Sequence, residues 1–334
     1  MNIAINGFGR IGRQIFRQAY ERGFGISLIN DPFLSLDQAR ILSAYDSIYE
    51  KFCHNVTSED SNKLIIDNQN KIKYYSTKKI SELSLSNVDI LIDSSGKERR
   101  KLEYKEILKE YPNLKKIIIT TFSKIADQII IDGVNQDILK KDSKIISTCT
   151  CDSVAILPII KKCIKKKIDS VSIITLHPFL SNQKLLDGCD IKLDDISLIS
   201  NWRAAPDALI PKKTSIENIA IDIFPKLKGK LNAYQIRVPT TCVSCAFIDI
   251  NFEEIISKEW INNLLESLKG YYLINSDYLT SRDFMNDKHS GVIDLRRFIA
   301  TEKGIKFLVW YDNESGYCSK VLDLVILIDK NEGL

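Results

Sequence analysis

The sequence lacks any apolar run long enough to cross a bilayer: stretches such as Val321–Ile328 fall far short of the ~20 residues a membrane helix needs. No internal repeat, low-complexity tract or Pro/Gly-rich linker interrupts it, which excludes repeat arrays and disordered tethers. An excess of one charge is also missing, since the formal net charge is only +4 over 334 residues. That balance implies neither nucleic acid nor an acidic membrane as partner. The densest lysine cluster, Lys161–Lys167, reads as the end of a helix. Eight cysteines show no regular framework, so free thiols in a reducing compartment are expected. Cys242 and Cys245 are spaced C-x-x-C but lie in a β-like run, Arg237–Ile250, with no second pair; neither metal nor redox use is read from them. Asn2–Asn6 is already strand-like, so no secretory leader is expected and the cytoplasm is the expected location.

What is present is globular: 44% apolar and 27% charged residues, in a chain long enough for two cores. The first third alternates short apolar strands (Asn2–Asn6, Ile26–Asn30, later Ile90–Asp93, Lys116–Thr120 and Ile129–Ile131) with helix-like segments such as Arg10–Arg22. That order predicts βαβ units and a parallel sheet, an α/β domain. From Ser170 the runs lengthen, as in Val171–His177, Leu231–Ile250 and Phe307–Trp310. Apolar residues at Val321, Leu322, Val325 and Ile326 then predict a helix over Gly316–Leu327. The change of pattern puts the domain boundary near Cys149–Cys151.

Gly7-Phe8-Gly9-Arg10-Ile11-Gly12 is a G-x-G-x-x-G sequence between strand and helix. The first glycine permits the tight turn, the second lets backbone approach a pyrophosphate, and the third lets the helix pack closely on the strand. A helix N-terminus presents N–H groups and partial positive charge to the phosphates. Asp31 follows the last glycine by 19 residues. A carboxylate there accepts ribose hydroxyls and repels a 2′-phosphate, which selects NAD over NADP.

Asn6-Gly7-Phe8-Gly9-Arg10-Ile11-Gly12-Arg13 and Asn30-Asp31-Pro32-Phe33 resemble the opening of glyceraldehyde-3-phosphate dehydrogenases. The likeness continues in order through Tyr45-Asp46-Ser47, Ser94-Ser95-Gly96, Gly133-Val134-Asn135, Arg237-Val238-Pro239-Thr240 and Trp310-Tyr311-Asp312-Asn313-Glu314. The resemblance implies an N-terminal Rossmann domain completed by the C-terminal helix (1–150 with 316–334) and an α+β catalytic domain with a mixed sheet (151–315). It further implies a homotetramer, with NAD held by Gly7–Gly12, Asp31, Ser95, Gly96 and, at the nicotinamide carboxamide, Asn313 with Tyr317 nearby.

Oxidising an aldehyde by hydride transfer first needs a tetrahedral adduct, which a thiolate supplies; a base then takes the hydroxyl proton and leaves an enzyme thioester. Cys149 and Cys151 compete for the nucleophile's role. The family's nucleophile stands seven residues before a proline at a helix start, and Pro158 stands seven after Cys151. The helix dipole there favours a thiolate. Of three histidines, His177 in Thr175-Leu176-His177-Pro178-Phe179 matches the family's base, while His54 and His289 read as surface residues. Thr150, Asp152, Thr214 and Arg237 fall on substrate and phosphate positions.

Several of those positions depart from the family. Asp152 stands where a threonine meets inorganic phosphate, Asn201 where an arginine does, and Ser215 where a glycine follows the matched threonine. Leu180, Val154 and Ser315 replace a threonine, an asparagine and a tryptophan. A carboxylate ~5 Å from a thiolate, at an effective dielectric of ~20, opposes it by roughly 3 kcal/mol, against ~0.3–2 kcal/mol from the helix dipole. Asp152 either faces the sulfur and suppresses the thiolate, or turns to backbone N–H groups or solvent as an ordinary first-turn acid. Three readings follow: NAD-dependent oxidation of a small phosphorylated aldehyde; a non-phosphorylating dehydrogenase of erythrose 4-phosphate or another semialdehyde; and a catalytically weak binding or regulatory paralogue.

Overall fold

A computed structural model describes residues 1–97, 99–188 and 196–332. The chain falls into two compact units, Met1–Thr150 with Cys318–Leu334, and Cys151–Tyr317.

The first unit begins β1 (Asn2–Asn6), α1 (Arg10–Glu21), β2 (Gly25–Asn30), α2 (Leu36–Ala44) and two short strands, β3 (Tyr45–Asp46) and β4 (Glu50–Lys51). It continues with β5 (Val56–Glu59), β6 (Lys63–Ile66), β7 (Asn70–Tyr75), β8 (Ile90–Asp93), α3 (Lys101–Glu110), β9 (Lys116–Ile119), β10 (Gln128–Ile129) and β11 (Ile145–Ser147). Nine strands form one sheet in the order β10-β11-β9-β8-β1-β2-β7-β6-β5. It is parallel from β10 to β7 and antiparallel at the β7-β6-β5 edge. Parallel central strands are buried on both faces, which is why Ile3-Ala4-Ile5 and Ile90-Leu91-Ile92 read as unbroken apolar runs. Helix α1 buries Gly12, Ile15, Phe16 and Ala19, one stripe at helical spacing.

The second unit contains α4 (Cys151–Cys163), β12 (Ile168–Pro178), β13 (Ile210–Lys212), α5 (Ile216–Ile223), β14 (Leu231–Val238), β15 (Ser244–Phe252) and α6 (Lys258–Leu268). There follow β16 (Tyr272–Asn275), β17 (Gly291–Asp294), β18 (Ile299–Ala300), β19 (Gly304–Tyr311) and α7 (Ser315–Glu332), most of which belongs to the first unit. The sheet here is mixed, ordered β13-β14-β12-β15-β19-β17-β16 with β18 on β19. β12 runs parallel to β14 and antiparallel to β15. Its alternation buries Val171, Ile173, Thr175 and His177 and exposes Ser172 and Ile174. Within the first unit, Arg22 anchors α7 through Asp323 at 2.8 Å and the Ser319 hydroxyl at 2.7 Å.

The parallel sheet and the mixed sheet agree with the fold expected from sequence. The run Leu231–Ile250 does not: it is two strands, β14 and β15, broken over residues 239–243. Pro239 has no N–H for a ladder, and Val243 turns the chain with φ 62°. α7 is also longer than expected at both ends. α2 and the β5-β6-β7 meander carry no signal among those read above: β5 and β7 alternate buried with more exposed residues, and the apolar run of β6 is only Leu64–Ile66.

Candidate active site

In the first unit, Gly7 turns the chain after β1 with φ 92°, and a Cβ there would sit 2.4 Å from backbone atoms of Ser95. A Cβ on Gly12 would meet the Gly7 carbonyl at 2.0 Å. Gly9 differs: a Cβ would meet nothing within 4 Å, and no side chain caps α1 above it. Open space over uncapped helical N–H groups is a cradle for an anion, so the residues fit the pyrophosphate of a dinucleotide. Asp31 is buried, and its carboxylate accepts from Phe8 N–H at 2.8 Å and Phe33 N–H at 2.9 Å. A carboxylate offers about four acceptor sites, so capacity for ribose hydroxyls remains. Ser95 is committed to Asp93, its hydroxyl donating at 2.6 Å, and Gly96 turns the chain with φ 64°. Arg10 reaches Asp46 at 3.4 Å, and Arg13 donates to the Phe8 carbonyl at 2.9 Å. Asp93, which the sequence reading passed over, joins this floor together: it also accepts from Asn6, Arg99 and Tyr104.

In the second unit, Cys151 opens α4, and its Sγ lies 3.5 Å from Nε2 of His177 at the end of β12. His177 Nδ1 is 2.8 Å from the carbonyl oxygen of Pro178, which can only accept. The proton is therefore assigned to Nδ1, and Nε2 turns a lone pair to the sulfur. Burial pushes the imidazole's pKa down to about 4, Asp152 opposing and Arg237 assisting, so the ring is neutral at physiological pH.

Asp152 faces the sulfur. Its Oδ1 is 3.5 Å from Cys151 Sγ and accepts from the Tyr311 hydroxyl at 2.7 Å; its Oδ2 accepts from Gln235 Nε2 at 2.7 Å. The side chain is buried, which rules out the solvent-facing orientation. The strand register explains the grip. Parallel pairing sets Arg237 beside His177 and Gln235 beside Thr175, all on the buried face. Burial drives the Cys151 thiol well above its ordinary pKa, and the Asp152 carboxylate drives it further, with Arg237 opposing. Burial likewise lowers Arg237, while Cys151 and Asp152 hold it up.

Cys149 is fully buried with φ 61°. Thr150 directly precedes Cys151 at the end of the first unit. The Thr214 hydroxyl accepts from Ile216 N–H at 3.2 Å, at the start of α5, next to Ser215. Asn313 is buried with no hydrogen-bond partner on Oδ1, an acceptor suited to a carboxamide N–H donor. Tyr317 is buried in α7, and Ser315 Oγ donates to Asn286 at 2.9 Å. Val154 lies inside α4, and the Leu180 backbone N–H donates to Gln183 Oε1 at 2.9 Å. Cys242 donates to Asp312 at 3.5 Å, while burial raises the Cys245 thiol to about 12. His54 is not a free surface residue: it stacks edge-on with Tyr20 and pairs with Asp67 at 2.7 Å. His289 is half-exposed against Asp287.

Three residues that sequence reasoning missed shape the site: Gln235, Tyr311 and Lys212. Gln235 precedes the matched Arg237 by two, the spacing that puts both on one strand face. Lys212, paired across to Gln235, donates to Asn201 Oδ1 at 3.4 Å. Burial and the neighbouring Arg237 lower its pKa. Lys212 thus brings a cation to Asn201, the position where the family has an arginine.

Comparison with known proteins bears on both units. The family profile described as glyceraldehyde 3-phosphate dehydrogenase, NAD binding domain, matches residues 1–101, and the corresponding C-terminal domain profile matches residues 148–313. Glyceraldehyde-3-phosphate dehydrogenase 1 of Candida glabrata is 32% identical, covering 99% of this chain and 99% of its own length. Glyceraldehyde-3-phosphate dehydrogenase 1 of Kluyveromyces marxianus is 34% identical over 97% of this chain and 98% of its own. Glyceraldehyde-3-phosphate dehydrogenase 3 of Saccharomyces cerevisiae is 32% identical over 97% and 98%. The chain belongs to the glyceraldehyde-3-phosphate dehydrogenase family of NAD-dependent oxidoreductases.

Proposed function

We propose that this chain oxidises a small phosphorylated aldehyde through a thioester on Cys151, with His177 as base, and releases that thioester to water. The observation that carries the reading is the 3.5 Å approach of Cys151 Sγ to a His177 Nε2 whose lone pair is fixed by the Nδ1 bond to Pro178. His177 takes the thiol proton as sulfur attacks the carbonyl carbon, returns it to the carbonyl oxygen, and takes the hydroxyl proton as the adduct is oxidised. NAD, when bound, supplies the hydride acceptor; in the first unit Gly7–Gly12 and Asp31 are the residues that would hold it. Arg237, buried beside His177, is the cation for the substrate's phosphate.

Asp152 sets the second half-reaction. A carboxylate beside the acyl sulfur repels inorganic phosphate and can take a proton from water as water attacks the thioester carbon. The same carboxylate supports a second reading, a slow paralogue kept for binding, because it holds the thiol protonated. NADH formation over phosphorylated and unphosphorylated aldehydes of two to five carbons, with phosphate from zero to tens of millimolar, separates the cases. Turnover that needs no phosphate and disappears with Cys151→Ser is expected. A saturable phosphate requirement with stoichiometric acyl phosphate would refute hydrolytic release, and no turnover on any aldehyde would leave the binding reading.

A homotetramer in the cytoplasm is part of the proposal. Tyr234, Ile174 and Phe247 line up across β14, β12 and β15 and are 66%, 42% and 47% exposed, an apolar row suited to burial against another subunit. Seven cysteines among the described residues are free thiols, in keeping with a reducing compartment. Light scattering at the mass of four chains of 38.1 kDa is the expected solution result, and a monomer would oppose it.

A further inference from the structure

Cys151, Asp152 and His177 bring one sulfur, one carboxylate oxygen and one imidazole nitrogen within 4.8 Å of one another. We propose that these three side chains form a binding site for a single divalent transition-metal ion of the zinc class, whose occupancy reversibly shuts off the nucleophile. A tetrahedral ion with metal–sulfur bonds of about 2.3 Å and metal–nitrogen and metal–oxygen bonds of about 2.0–2.1 Å sets sulfur roughly 3.5 Å from each lighter ligand. Both separations from Cys151 Sγ, to His177 Nε2 and to Asp152 Oδ1, are 3.5 Å; the nitrogen and the carboxylate oxygen lie within 4.8 Å and would close to about 3.3 Å around the ion. The ligands are also oriented from behind, as metal ligands need. Pro178 O holds Nδ1–H so that Nε2 faces the cluster, and Tyr311 and Gln235 fix the carboxylate.

The site is accessible and charged for a cation. His177 and Asp152 are buried, whereas Cys151 is half-buried, which leaves an entry side. Binding forms the Sγ–metal bond and releases the thiol proton to solvent, with no change of oxidation state. The thiolate and Asp152 then set two negative charges on the ion itself, of which Arg237, with Lys212 beside it, offsets part. Where the family has a threonine at position 152, the third ligand is a neutral hydroxyl, so the carboxylate is what makes the set tridentate here. Metal and aldehyde exclude one another because both need the same sulfur.

The test uses the full-length, reduced protein with zinc and cobalt salts alone. Calorimetry with zinc should give one ion per chain and release of about one proton; cobalt should add a near-ultraviolet thiolate charge-transfer band with tetrahedral visible bands. Zinc should also protect Cys151 from iodoacetamide. Asp152→Asn should weaken zinc by about tenfold or more, and Cys151→Ser should remove the cobalt band. Equal zinc affinity in the native chain and Asp152→Asn would overturn the proposal, as would a cobalt spectrum without a thiolate band. Should Asp152→Asn fail to fold, zinc-edge X-ray absorption of the native chain decides: one sulfur with nitrogen and oxygen neighbours upholds the site, and a shell without sulfur refutes it.

Discussion

Replacing Asp152 by asparagine removes one charge and little else: the amide keeps an oxygen for Tyr311 or Gln235 and nearly the same volume. At the observed 3.5 Å, two unit charges at an effective dielectric of ~20 repel by about 5 kcal/mol. That is an upper figure, because the carboxylate charge is shared by two oxygens and Arg237 offsets part of it. A net relief of about 1.5–4 kcal/mol lowers the thiol pKa and favours the thiolate by roughly ten- to a thousandfold, at about 1.4 kcal/mol per factor of ten. The assay is the pH dependence of iodoacetamide alkylation at Cys151, followed by mass spectrometry. For a thiolate fraction raised about a hundredfold at neutral pH, the weaker nucleophilicity of a more acidic thiol trims the rate gain to roughly tenfold. The rate profile should shift to lower pH while the melting temperature shows that the fold persists. An unmoved profile in a folded variant would mean that burial alone, not Asp152, holds the proton on sulfur, and the argument for hydrolytic release would lose its electrostatic basis.

His177 also makes stability depend on pH. Its folded pKa of about 4 lies below the ordinary 6.5, so the unfolded chain takes up the proton first as pH falls. Stability is lost between about pH 6.5 and 4, by about 3 kcal/mol at most, and not further below. Urea midpoints at pH 7.5 and 4.5 should differ less in His177→Asn than in the native chain; an equal difference refutes this. Gly12→Ala should cost about 1–3 kcal/mol, since its Cβ meets a carbonyl oxygen at 2.0 Å. Gly9→Ala should melt like the native protein yet bind NAD more weakly, and NAD titration showing native affinity would argue against the cradle. Asp31→Asn should narrow the preference for NAD over NADP in direct titrations, and tighter NADP binding by the native chain would mean the acid does not meet the ribose.

Parts of the protein whose cause is local are legible in the amino-acid order alone. Gly7, Gly9 and Gly12 between an apolar strand and an apolar-striped helix permit little but a strand–turn–helix, because two of those positions cannot hold a Cβ. The spacing of Cys151 to Pro158 and the segment Thr175–Phe179 marked a thiol and an imidazole, each identified from a few adjacent residues. Pro239 could have been read as a strand break, yet the surrounding apolar density hid it. The direction in which Asp152 points is set by long-range packing. Its direction is held by Gln235, 83 residues away, and Tyr311, 159 residues away. Lys212 likewise comes near Arg237 only because β13 pairs with β14. A buried carboxylate goes where donors await it, and those donors are assembled by sheet register between strands far apart in the chain, which no local pattern encodes.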